Sequence, residues 1–117
     1  MKYAVLDTNF ILSCIRKKID FFEEIRLMGF KILIPAQVIR EIKKFAESKP
    51  EARLALTILE KNDFDKIDLK VKNVDNGIVK IAEKNKGYII ATLDREIKNK
   101  IKNQKLVIRG DRNLEII

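Results

Sequence analysis

A chain of 117 residues, 46% of them hydrophobic, is long enough to build one core and short enough to be a single domain over 1–117. Its 25 Lys and Arg against 17 Asp and Glu give a net charge of +8, which favours either an anionic partner such as a nucleic acid or an ion-paired surface of the thermophile kind. The lone Cys14 excludes an intrachain disulfide, no apolar run approaches a membrane span, and Asp7 and Asn9 break the N-terminal apolar stretch too early for a signal peptide. The expectation is a soluble, cytoplasmic chain with no membrane partner.

Residues 3–6 read as a buried strand that ends at Asp7-Thr8-Asn9, so the Asp7 carboxylate is displayed at a sheet edge. Residues 10–16 suggest a short helix. Asp20 caps a second helix, with Phe21, Phe22, Ile25 and Met28 on one face and Gly29 closing it. Residues 30–34 form the next strand, and Pro35 suits the first position of a helix over about 36–48. Val38, Ile42 and Phe45 make its core stripe, and Glu41 lies on the border, where it can reach a cleft or pair with a surface Lys.

Ser48-Lys49-Pro50 breaks the chain before a helix over 51–61 that turns Ala52, Ala55, Leu56 and Leu59 inward. Partial alternation around 65–69 predicts a short edge strand. Asp75 precedes a helix running to about Lys86, with Gly87 marking its end. The apolar run 88–92 is followed by Asp94 just as the first strand is followed by Asp7. A basic helix over 95–103 then buries only Ile97 and Ile101, residues 106–109 are a last buried strand, and Gly110-Asp111 turns into a terminal segment at 114–117. Strand and helix alternate throughout, which predicts an α/β fold: a three-layer α/β/α sandwich around a central parallel sheet of about five strands.

Asp7, Asp75 and Asp94 each precede a predicted helix, so the plainest role for each is an N-cap. Position adds another. In an open parallel sheet, ligands bind beyond the carboxyl ends of the strands where the strand order reverses, and Asp7 and Asp94 follow the strands expected to flank that point. Carboxylates gathered there resist ionising together unless a cation joins them, and oxygen ligands without Cys or His select Mg²⁺ or Mn²⁺. Such an ion activates water and stabilises charge on a phosphoryl group. The chain has no histidine, which removes the usual acid and base of metal-free RNA cleavage through the 2′-hydroxyl. Arg95, Lys98, Lys100 and Lys102 are the candidates for contact with an RNA backbone, although a solvated helix face accounts for any one of them.

The series Val5-Leu6-Asp7-Thr8-Asn9, Pro35-Ala36-Gln37-Val38-Ile39-Arg40-Glu41-Ile42, Asp75, and Ala91-Thr92-Leu93-Asp94-Arg95-Glu96 resembles the PIN domain over essentially the whole chain. The stretch from Arg109 to Glu115 is more loosely similar to PIN proteins of ribosomal RNA processing. The resemblance implies a Mg²⁺- or Mn²⁺-dependent endoribonuclease in which Asp7, Glu41, Asp75 and Asp94 are the four acids and Thr8, Asn9 and Thr92 are polar support. Glu96 is an accessory candidate, and Asn76 stands where the commoner motif has a second acid. The expected substrate is RNA, single-stranded or structured, and a homodimer, an antitoxin and a ribosome-assembly partner are the protein partners such relatives suggest. Two other functions remain open at this level: a non-catalytic RNA-binding or assembly module, and a toxin ribonuclease of a toxin/antitoxin pair. A haloacid-dehalogenase-like phosphatase needs an Asp two residues after the first, and Asn9 stands there instead.

Overall fold

The computed structural model describes residues 2–117. In chain order its elements are β1 (Tyr3–Leu6), α1 (Thr8–Arg16), α2 (Phe21–Leu27), β2 (Lys31–Pro35), α3 (Ala36–Phe45), α4 (Pro50–Glu60) and β3 (Asp65–Ile67). These are followed by α5 (Val74–Lys84), β4 (Ile89–Ala91), α6 (Arg95–Lys100), β5 (Lys105–Arg109) and β6 (Asn113–Ile116). The strands form one sheet in the order β3-β2-β1-β4-β5-β6. The first five are mutually parallel, with Val5 opposite Leu33 on one side and Ile90 on the other.

That order places the topological switch between β1 and β4. The chain steps outward from β1 through β2 to β3, then returns to the other side of β1 and steps outward again. The carboxyl ends of β1 and β4 therefore flank the crevice where parallel sheets hold their ligands.

Burial on both faces explains why these strands read as unbroken apolar runs. Ala4, Leu6, Ile32, Ile34, Ile89 and Ala91 join the core with Phe10, Phe21, Phe22, Val38 and Ala55, under α1 to α4. Val5, Leu33 and Ile90 point the other way, onto Ile78, Ile81, Ala82 and Ile97 of α5 and α6. Successive strand residues serve opposite faces, so the single residue Val5 commits β1 to two cores at once.

Several boundaries differ from the sequence expectation. The sheet has a sixth strand: Gly110 turns at φ +59°, and residues 113–116 pair antiparallel with β5, from Arg109 opposite Asn113 to Leu106 opposite Ile116. α1 begins at Thr8 rather than residue 10, because Asp7 accepts from the Thr8 N–H and its carbonyl takes the Ile11 N–H. Pro35 ends β2 and occupies the N-cap of α3 instead of its first turn. α5 ends at Lys84, with Asn85 as its C-cap, short of Gly87. α6 stops at Lys100, so Lys102 lies beyond the helix, although Ile97 and Ile101 both face inward as expected.

Candidate active site

β1 delivers Asp7 to the sheet edge and α1 holds it there. The Thr8 N–H donates to Asp7 Oδ1 at 2.8 Å, and the Asp7 N–H donates to the Ala91 carbonyl at 3.0 Å, so the residue is tied to both β1 and β4. Asp7 is only 8% exposed. Its capping role, expected from the sequence, coexists with a second bond: the fully buried Thr92 donates its hydroxyl to Asp7 Oδ2 at 3.0 Å.

Thr92 also accepts the Asp94 N–H at 3.1 Å, and Asp94 Oδ1 in turn accepts the Glu96 N–H at 2.8 Å, which makes Asp94 the N-cap of α6. One hydroxyl thus couples the residues after β1 and β4. Thr8, 1% exposed, adds a polar atom with no protein partner, its Oγ1. Asn9 is exposed on the first turn of α1.

Asp75 departs from the N-cap expectation. Asn73 caps α5, its side chain accepting the Asp75 and Asn76 N–H groups at 2.9 and 3.3 Å, and Asp75 sits exposed in the first turn. Asn73 carried a readable signal, a cap-forming Asn two residues before the acid. Gly77 carried none. A Cβ there would meet Leu69 Cδ1 and Val71 Cγ2 at 2.7 Å, so the segment before α5 packs directly on the helix two residues beyond Asp75. Gln37 pins the same segment from the other side, donating to Asp68 Oδ1 at 2.8 Å and accepting the Leu69 N–H at 3.2 Å. One turn along α3 from Gln37 stands Glu41, exposed.

These acids act on one another. Burial raises the Asp7 carboxyl above its ordinary value; the bonds from Thr92 and Thr8 oppose the rise, and the charges of Asp75 and Glu41 add to it. Asp75 is raised as well, first by desolvation, then by Asp94, Glu41 and Glu96, with Lys100 opposing. Glu96 therefore belongs to the same field. Among the described residues no three carboxylates close around a point as a formed metal cage. The donor set nevertheless suits a hard cation: it is all oxygen, its members resist joint ionisation, and Mg²⁺ keeps several waters and needs only one or two carboxylates. The orphaned Thr8 hydroxyl is a further oxygen at the same edge.

The basic candidates divide. Arg95 and Lys100 are exposed on α6, Lys98 is half-buried, and Lys102 is exposed after the helix. No helix among the described residues is long and apolar enough to cross a membrane.

Residues 4–112 match the family model described as a PIN like domain. The chain is 33% identical over 114 residues to "Ribonuclease VapC9" of Archaeoglobus fulgidus, covering 92% of this chain and 82% of that protein. It is 30% identical over 105 residues to the "rRNA-processing protein fcf1" of Schizosaccharomyces pombe, covering 86% of this chain but only 53% of that longer protein. In structure it is similar to the PIN domain endonuclease Utp24, with a TM-score of 0.81, 26% identity, and coverage of 97% of this chain and 90% of that one. This chain belongs to the PIN-like domain family.

Proposed function

We propose that the chain is a metal-dependent endoribonuclease that hydrolyses RNA phosphodiester bonds at the crevice between β1 and β4. The observation that carries the reading is the placement of Asp7 and Asp94 at the switch point, joined through Thr92, with Asp75 and Glu41 close enough to hinder ionisation of Asp7. The ribonuclease and rRNA-processing names of its relatives, and the likeness to an endonuclease, supply the substrate class.

Asp7, Asp75 and Asp94 are the ligands in this reading. Bound among them, Mg²⁺ or Mn²⁺ supplies charge neutralisation at the phosphoryl group and an activated water. Glu41, exposed on α3, is a further ligand or the base that orients and deprotonates the attacking water. Thr92 and the Thr8 N–H fix both oxygens of Asp7, so that carboxylate needs little reordering when the site fills. Water as nucleophile leaves a 5′-phosphate and a 3′-hydroxyl, the outcome suited to a chain without histidine.

One observation favours a non-catalytic RNA-binding module: the absence, among the described residues, of a closed group of three acids. A single experiment separates the two. Single-stranded and structured RNA are incubated with Mg²⁺ or Mn²⁺, with and without chelator, beside Asp7→Asn and Asp94→Asn. Cleavage that needs both the ion and the acids, and leaves 5′-phosphate ends, supports the nuclease. Metal-independent cleavage that survives the substitutions overturns it, and RNA binding without cleavage assigns the binding module.

A further inference from the structure

The positive charge of the chain is not spread evenly. Residues 66–105 hold eleven Lys and Arg against five Asp and Glu, so six of the eight net charges lie in the part of the chain that builds α5, α6 and their flanks. At the far end of this layer, Lys86, Lys100, Lys102, Glu83 and Asn103 line a cleft of about 210 Å³. None of the three lysines is in an ion pair among the described residues; the pairs formed are Arg16 with Glu51, Lys17 with Asp111 and Arg109 with Glu115.

We infer that this cleft holds backbone phosphates of a single RNA strand, beyond the nucleotides that are cut. The inference rests on the reading of the chain as acting on RNA. Three exposed ammonium groups against one carboxylate leave the cleft cationic, and Lys is a flexible point charge suited to phosphate contact without base readout. The floor is fixed rather than loose. Asn103 is 5% exposed, and its amide donates to the carbonyls of Asn85 and Tyr88, both at 3.0 Å, which ties the turn after α5 to the segment after α6.

The cleft lies one short helix away from the acids: Lys100 ends the helix that Asp94 caps. At about 1.5 Å per residue the six residues of α6 span about 9 Å, so a strand lying across Asp94 reaches the cleft only with nucleotides outside the bond being cut. The cleft then sets a minimum substrate length. A second copy of this chain is a poor occupant, since both copies carry +8.

The test is RNA binding by the full chain, read by fluorescence anisotropy in chelator so that nothing is cut, with labelled single strands of about 2 and about 12 nucleotides. The triple variant Lys86→Gln, Lys100→Gln, Lys102→Gln is compared with Lys18→Gln, Lys31→Gln, Lys61→Gln, an equal charge change at exposed positions elsewhere. The cleft variant is expected to lose about tenfold or more in affinity for the longer strand, to change little for the shorter one, and to flatten the salt slope by about two, at about 0.7 per phosphate contact. Both variants melt with the wild type, because every altered side chain is exposed. Equal losses in the two variants, or no loss in either, would overturn the inference. Cleavage of long RNA in Mn²⁺ by the wild type and by the cleft variant is followed in parallel. Length-dependent binding without any cleavage keeps the cleft and removes the nuclease reading, whereas undiminished cutting of long RNA by the cleft variant does the reverse.

Discussion

The Thr92 hydroxyl donates to Asp7 Oδ2 at 3.0 Å and, at 3.1 Å, accepts the N–H of Asp94. A group that is fully buried and doubly bonded cannot be replaced by a methyl without orphaning both partners. Thr92→Val, nearly the same in shape, is therefore expected to cost about 1–3 kcal/mol in urea unfolding, the usual penalty for an unsatisfied buried group. Cleavage is expected to fall by more than that loss explains, about 100-fold, because both acids lose their common anchor. Thr92→Ser keeps the hydroxyl and restores most of the rate. A Val variant as active as the wild type would remove Thr92 from the site.

Asp7 gives a pH signature whose sign is fixed by burial. Its folded carboxyl holds the proton above the ordinary value of 3.8, chiefly through desolvation, so the folded state binds more protons than the unfolded one in the window above 3.8. Stability contributed by this group is full below that value and is lost as pH rises through the folded value. Asp7→Asn removes the charge but turns one of two accepting oxygens into a donor, so in chelator its melting temperature relative to the wild type is expected to be most favourable at neutral pH and to fall as pH falls toward 4. Thermal melts across that range read the trend. A variant less stable at neutral pH than in acid, relative to wild type, contradicts the burial argument. The same variant is inactive in the proposed function.

The parts of this site that follow local rules were legible in the sequence. Asp7 and Asp94 each end an apolar run, and strand order did the rest: β1 and β4 are the inner pair of the sheet, so their ends meet. Asp75 was found as an acid but given the wrong local role, since Asn73 competes for the cap from two residues earlier. The sixth strand was hidden because its pairing depends on a positive-φ turn at Gly110 rather than on its own pattern, in which only Leu114 is buried. Gln37 and Gly77 left no mark in the sequence, for their partners lie in an irregular segment that no periodicity describes.

Gly77 tests how tightly that irregular segment governs the site. In Gly77→Ala the new methyl would stand 2.7 Å from Leu69 Cδ1 and 2.9 Å from Leu69 Cβ, so residues 69–71 have to move. Overpacking of this kind costs about 1–3 kcal/mol, partly offset by the helix preference of Ala over Gly, about 1 kcal/mol. A net destabilisation of about 1 kcal/mol is expected in urea, with a larger loss in Mn²⁺ affinity because Asp75 lies two residues away. Full stability and full Mn²⁺ affinity together would show that the segment yields without disturbing the acid.

Cys14 provides a control on the fold. Desolvation pushes its thiol up to about 12, with the Glu24 charge adding to it, and it is fully buried. It is expected to resist alkylation at pH 8 in the folded chain and to react within minutes in denaturant. Rapid modification under native conditions would show that α1 opens locally.

Divalent ions should act on stability as well as on rate, and the two readouts are independent. The desolvation, and after it the mutual repulsion, that raise Asp7 and Asp75 are a cost of the ion-free fold, and a cation that binds only the folded chain offsets it. By mass action an ion at about 100 times its dissociation constant adds about 2.7 kcal/mol, enough to raise a domain of this size by several degrees. Mn²⁺ is therefore expected to raise the melting temperature of the wild type in a saturable way, and to raise that of Asp7→Asn and Asp94→Asn much less. Chelator reverses the wild-type gain. If Mn²⁺ lifts all three chains equally, the ion binds elsewhere, and the acids at the end of β1 and β4 are helix caps alone.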